Sequence, residues 1–275
     1  MRIITTSNET FLYINGLGVK DRVVLGKNIE LLPATVNVNE SVIASLVKNQ
    51  GEYGLSLVFL WLVKSQLHIT SKNPKQLAID AWNSVWDIVL LSGLYNCDAV
   101  CNFQSNKPVE EITRDCDFRV TNYALRGLTT PIYYLTEEDV KWIKEYFAIG
   151  RNLLDQPKFL HAVHCLATYH WHSLPHARLA LLWSGIEGLF DIDSELTFRL
   201  SLYISRFLEA NDIEKRKTIF LDVKTQYNRR SAAVHGNREI KDPEKSVSDS
   251  ANLLKRLIIS CITQNKLPIS DELAP

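Results

Sequence analysis

The chain has 275 residues, 46% hydrophobic and 23% charged, with 31 Lys/Arg against 31 Asp/Glu and a formal net charge of zero. That length supports a hydrophobic core without disulfide or metal staples and suggests one or two domains. A neutral total excludes any global attraction to polyanions or membranes, so a polyanion site must come from local charge.

The opening MRIITTSNETFLYING lacks the apolar core of a signal peptide, so none is expected. FLYING (11–16) and RVVLG (22–26) are short, rich in β-branched and aromatic residues, and separated by NGLG. They read as a hairpin or two adjacent strands. Residues 39–49 (NESVIASLVKN) read as a helix. The strongest apolar run, SLVFLWLV at 56–63, is too short to span a bilayer and reads as a buried helix or strand. Residues 117–127 read as a strand with a partly polar face. Thr136 opens a helix, with Asp139 three residues on and Val140, Ile143 and Phe147 at helical spacing; this start is capping-box-like.

From about residue 157 no strand pattern remains. Residues 158–172 read as a helix closed by Pro175. HARLALLWSGIEGLF (176–190) is apolar nearly all round, the pattern of a central, buried helix. Asp193 or Ser194 can cap a helix over 195–210. Further helices are expected over 215–235 and within 246–263. Short connections favour antiparallel neighbours and hence a bundle. The expected class is α+β: a mixed α/β half over 1–155, then an all-α helical domain over 156–275.

YNRRSAAVHGN, residues 227–237, carries the chemistry. Tyr227, Arg230, Ser231 and His235 follow one another in steps around a helix end. Gly236 fits the position just past that end. In the last helical turn the dipole favours imidazolium at His235, while Arg230 opposes it, so the imidazole can titrate near neutrality. Two readings stand here: ordinary capping at a helix end, or an acid–base site beside a guanidinium. From Ile213 to Lys241 there are eight Lys/Arg and three Asp/Glu, a local net of +5. This concentration suits a phosphate backbone, and equally a solvated helix face. Glu187 lies inside an apolar helix, where a carboxylate is costly unless paired. Its natural partner in a bundle is Arg230.

Other constellations are weaker. Five of the seven histidines, His161, His164, His170, His172 and His176, cluster with Cys165. They lack an HExxH pattern and scatter around the helix, so no metal site is expected. Cys97, Cys101, Cys116, Cys165 and Cys261 are odd in number and irregularly spaced, the pattern of free thiols in a cytoplasmic protein. Phosphate-loop, dinucleotide-fingerprint and nucleophile-elbow motifs are absent, which argues against those enzyme classes and calls for no cofactor. Trp82, Trp86, Trp142, Trp171 and Trp183 sit at helix-like positions expected in the core.

Two anchors, LLWSGIEGLF with Glu187 and Phe190, and YNRRSAAVHGN with Tyr227, Arg230, Ser231, His235 and Gly236, resemble the HEPN superfamily, and most its ApeA-like branch. The resemblance covers roughly residues 157–263. It implies a helical bundle that dimerises with its R-x4-6-H motifs facing each other. It also implies a metal-independent endoribonuclease of antiphage or toxin–antitoxin systems, with non-catalytic binding modules as the other members.

In that reading Arg230, His235 and Ser231 are the catalytic residues, and Glu187, Tyr227 and Gly236 support them. Lys224, Arg229 and Arg238 would contact RNA, tRNA included, and no membrane. The products would be 2′,3′-cyclic phosphate and 5′-hydroxyl ends. Catalytic members often have Asn, Asp or His after the arginine; here Ser231 stands instead. The N-terminal half would sense or regulate, answering to a regulatory protein or a phage-derived trigger.

Overall fold

The computed structural model describes residues 5, 7–124, 131–190, 192, 195–234 and 242–274. The chain is α+β, a sheet region followed by a helical region, and it divides into two compact units, residues 1–148 and 149–275.

In the first unit the strands are β1 (Glu9–Asn15), β2 (Leu17–Gly18), β3 (Val23–Gly26), β4 (Ile29–Pro33), β5 (Val63–Thr70), β6 (Val100–Ser105), β7 (Arg119–Val120) and β8 (Tyr133–Tyr134). Six of them form an antiparallel sheet in the order β3–β4–β5–β1–β6–β7, and β2 and β8 form a separate parallel pair.

FLYING and RVVLG are therefore both strands, but they are not neighbours. β3 turns through Lys27 and Asn28 onto β4, with Val23 opposite Leu31. β1 instead fills the sheet's interior, with Leu12 opposite Leu67 on one side and Gln104 on the other. The turn after β1 explains the difference. Gly16 has φ +78°, and a Cβ there would stand 2.2 Å from the Asp98 carbonyl oxygen. Only glycine tolerates that turn, which leads the chain into β2 rather than back along β1. Among the described residues of the strand expected over 117–127, only β7 forms, where Val120 pairs with Phe103; residues 125–127 lie outside the described residues.

Both faces of the sheet are covered. Phe11, Tyr13 and Phe103 pack with Ile43 of α1 (Glu40–Leu46) and with Leu55 and Phe59 of α2 (Gln50–Phe59). The apolar run 56–63 is shared between the end of α2, a 3-10 turn at Leu60–Leu62 and the start of β5. By strand alternation Leu12 and Ile14 face the other way, and both are fully buried. The 22-residue α3 (Pro74–Tyr95) packs on β1, β5 and β6. It is long and apolar enough to cross a membrane by composition, yet 56% of its apolar window is buried within the protein, as in a core helix.

Trp82 departs from its expected core position. The buried face of α3 runs through Leu77, Ala81, Ser84, Ile88 and Leu91, and Trp82 falls beside it, 47% exposed. Trp171, at the end of a 3-10 turn, is 40% exposed. Trp183 alone among the described tryptophans is fully buried.

Thr136 and Asp139 form a reciprocal cap at the start of α4 (Glu137–Leu153). The Asp139 N–H donates to Thr136 Oγ1 at 3.2 Å, and the Thr136 N–H donates to Asp139 Oδ2 at 2.8 Å. The unit boundary falls inside α4.

In the second unit, helices are the only regular elements among the described residues. The unit contains α5 (Pro157–Thr168), α6 (Pro175–Gly188), α7 (Leu196–Leu208), α8 (Ile213–Val234), α9 (Pro243–Gln264) and the short α10 (Ser270–Leu273). α6 is the hub, packed by α5, α8 and α9. Its Leu182, Trp183 and Ile186 are fully buried, as are Leu254 and Leu257 of α9. The Trp183 indole N–H donates to Ser250 Oγ at 3.0 Å, so this large side chain brings no unpaired donor into the core. The expected caps Asp193 and Ser194 lie outside the described residues. Glu195 occupies the position before α7 and makes no side-chain capping bond.

Candidate functional site

α8 turns Val223, Gln226 and Tyr227 inward, and Arg230 follows Tyr227 by three residues on the same side. The Tyr227 ring meets Trp183 edge-on, with centroids 5.3 Å apart at 85°. The guanidinium carbon of Arg230 lies 5.6 Å from the Tyr227 ring centroid. The aromatic pair thus supports the arginine from the core side, and the π face favours a cation there.

Glu187 comes from the last turn of α6. Arg230 Nη2 lies 3.2 Å from Glu187 Oε1 and donates to Oε2 at 3.3 Å. Their side chains retain 20% and 27% exposure, so the pair sits between the core and the surface. Arg230 Nε and Glu187 Oε1 are buried with no hydrogen-bond partner. Hydrogen bonding at the pair is incomplete, and further donor and acceptor capacity remains. Burial pushes the Glu187 carboxyl above the usual carboxylate range, and the Arg230 charge opposes that shift without cancelling it. Burial also raises the Tyr227 hydroxyl, and the neighbouring Glu187 charge adds to it.

The structure thus brings Glu187, Tyr227 and Arg230 together, with Ser231 half-buried at the next position. His235, Gly236 and Arg238 lie outside the described residues.

Much of the local positive charge is already engaged. Arg229 pairs with Asp249 of α9 at 3.3 Å, Lys215 with Asp212 at 3.3 Å and Lys217 with Glu214 at 2.7 Å. Arg216 donates to the carbonyls of Glu209 and Ala210 at the end of α7. Of the three residues expected to meet RNA, Lys224 is exposed and Arg229 is half-exposed within its ion pair. A count of charges along one segment overstates the free positive charge, because the partners come from other turns and helices.

The histidine and cysteine constellation resolves into separate contacts. His161 Nε2 lies 3.0 Å from Ser184 Oγ and 3.6 Å from Cys165 Sγ. His172 and His176 are exposed and apart from it in the chain. Among the described residues no three His, Cys, Asp or Glu side chains gather as a metal set. The cysteines are free, and burial pushes the thiols of Cys101 and Cys261 up to about 12 and Cys165 up to about 11. They behave as small core residues. The His161–Ser184 link is 23 residues apart in sequence, and no motif in either helix marks it.

The chain matches no family model, no curated protein and no solved structure.

Proposed function

We propose that the helical unit is a metal-independent endoribonuclease of HEPN type, with Arg230 and His235 as its reacting pair. The observation that carries this reading is the Glu187–Arg230–Tyr227 arrangement. A guanidinium is held by a carboxylate at 3.2 Å on one side and an aromatic ring on the other. It sits near the surface, in the last turns of the helix that leads to His235.

In this reading the Arg230 N–H groups hold the oxygens of the scissile phosphate and stabilise the charge that builds there. The 2′-hydroxyl of RNA loses its proton and attacks the adjacent phosphorus. The 5′-oxygen leaves and takes up a proton. His235 moves one of these protons. Ser231 orients the reacting groups. Glu187 and Tyr227 fix the direction of the guanidinium. Gly236 supports the site, and Lys224, Arg229 and Arg238 meet the strand, Arg229 exchanging Asp249 for a phosphate. The unit acts as a homodimer in the cytoplasm, in antiphage defence or a toxin-type stress response. The N-terminal unit answers to a regulatory protein or a phage-derived trigger.

A non-catalytic module binding RNA, a nucleotide or a protein is the second reading. Ser231, at the position where catalytic members of the resembled family often have Asn, Asp or His, favours it.

The deciding experiment compares wild type, Arg230→Ala and His235→Ala on total RNA and tRNA in EDTA, with product ends mapped. Wild type should leave 2′,3′-cyclic phosphate and 5′-hydroxyl ends. Each variant should lose on the order of a hundredfold or more in rate. Equal RNA binding with no cleavage by any of the three would move the assignment to the binding module.

A further inference from the structure

The surface of α6 continues beyond Glu187. Ser184, Glu187 and Gly188 stand at i, i+3 and i+4 and share one stretch of that helix. Ser184 is exposed and Glu187 half-buried, so the stretch is open. α5 and α8 both pack on α6. Each sends one polar side chain to this stretch.

From α8 comes Arg230, bound to Glu187. From α5 comes His161, whose Nε2 lies 3.0 Å from Ser184 Oγ. A Cβ built on Gly188 would meet the Cδ2 edge of His161 at 3.1 Å. The imidazole therefore rests on α6 at a spot kept clear by glycine, beside Glu187. Behind the ring lies Cys165 Sγ at 3.6 Å, a buried and neutral thiol. Ring and hydroxyl are held by each other and by the helix surface, yet both residues are exposed.

We propose that this strip is a seat for single-stranded RNA, in which His161 and Ser184 contact the phosphodiester next to the one held by Arg230. The proposal rests on the ribonuclease reading and extends it from a cleavage point to a two-phosphate footprint. The arrangement explains why the contact points are separated. Glu187, which Arg230 engages, stands one turn of α6 from Ser184, and its negative charge repels a phosphate centred over it. Arg230 at Glu187 and the His161–Ser184 pair one turn away each offer hydrogen-bond donors to anionic oxygens. A phosphodiester chain, with repeating charges, satisfies both ends where a single anion would not.

The test uses the full-length protein and a fluorescent, fully 2′-O-methylated single-stranded oligonucleotide, which cannot be cleaved. His161→Ala should weaken binding on the order of tenfold, the loss expected for one hydrogen bond to a charged group. Ser184→Ala should act in the same direction and less, and His161→Asn, which keeps a donor, should recover part of the loss. Because His161 is exposed, the melting temperature of His161→Ala should match wild type. With cleavable RNA, His161→Ala should raise KM and leave kcat within about twofold, the pattern of lost uniform binding.

Wild-type affinity in His161→Ala, or a fall in kcat at constant KM, overturns the proposal. If wild type binds the oligonucleotide yet cuts no RNA, the nuclease reading fails, and His161→Ala still decides whether the strip is an RNA seat. If wild type binds no single-stranded RNA, both fall.

Discussion

Glu187 and Arg230 can be separated by a double-mutant cycle, and the structure sets the expected size and pH dependence. The single variants are Glu187→Gln and Arg230→Met, compared with the double variant. Exposed ion pairs contribute about 0–1 kcal/mol, whereas breaking a fully buried one costs about 3–5 kcal/mol. With 20% and 27% side-chain exposure and one hydrogen bond between them, this pair falls between those limits. A coupling of about 1–2 kcal/mol is expected. For a chain of this size each kcal/mol moves Tm by about 2–4 °C, which thermal unfolding followed by circular dichroism resolves.

The pH dependence is the sharper measurement. Burial raises the folded carboxyl of Glu187 above its ordinary value, and Arg230 only partly reverses it. A raised folded value means that the contribution is fully present below the unfolded carboxylate range and is lost as pH rises through the folded value. Relative to Glu187→Gln, wild type should therefore lose stability as pH is raised from about 4 to 7. The Gln variant keeps an oxygen that can accept from Arg230, so at neutral pH its Tm should lie within a few degrees of wild type. If wild type instead gains stability relative to Glu187→Gln over this range, Arg230 outweighs burial, and the reasoning is refuted.

Other outcomes follow from single contacts. Ser250→Ala leaves the buried Trp183 N–H without its 3.0 Å acceptor, and should cost about 1–3 kcal/mol in urea unfolding; an unchanged midpoint would show that another acceptor replaces it. Thr136→Ala removes the cap of α4, and about 1 kcal/mol should be lost, which a melting curve unchanged from wild type would contradict. Gly16→Ala should disrupt the first unit, because its φ is +78° and a Cβ would meet the Asp98 carbonyl at 2.2 Å; a soluble variant with native circular dichroism and Tm would refute that. Ellman's reagent at pH 8 should reach Cys116 first, since Cys97, Cys101, Cys165 and Cys261 are buried and react only on unfolding; rapid modification of several thiols in the native protein would refute the burial argument.

The sequence by itself determined the order of element types, a strand-bearing region and then helices. Periodicity is a local property, and it marks α4, α5, α7 and α9, each of which buries one stripe of its own surface, whereas α6 is legible as a long apolar run. The capping pattern at Thr136 and Asp139 is local as well. The expected match of Glu187 to Arg230 was legible for a different reason: a carboxylate in an apolar helix needs a partner, and the segment 213–241 held the unmatched positive charge. Strand neighbours were not legible. β1 has hydrogen-bonding edges on both sides, and its partners β5 and β6 lie far along the chain, so only the folded sheet selects them over β3. The reach of the basic residues was hidden as well, because Asp249, which engages Arg229, arrives from another helix. His161 and Ser184 carry no motif. Their meeting depends on how α5 lies on α6 and on the space left by Gly188, a property of packing that only tertiary structure decides.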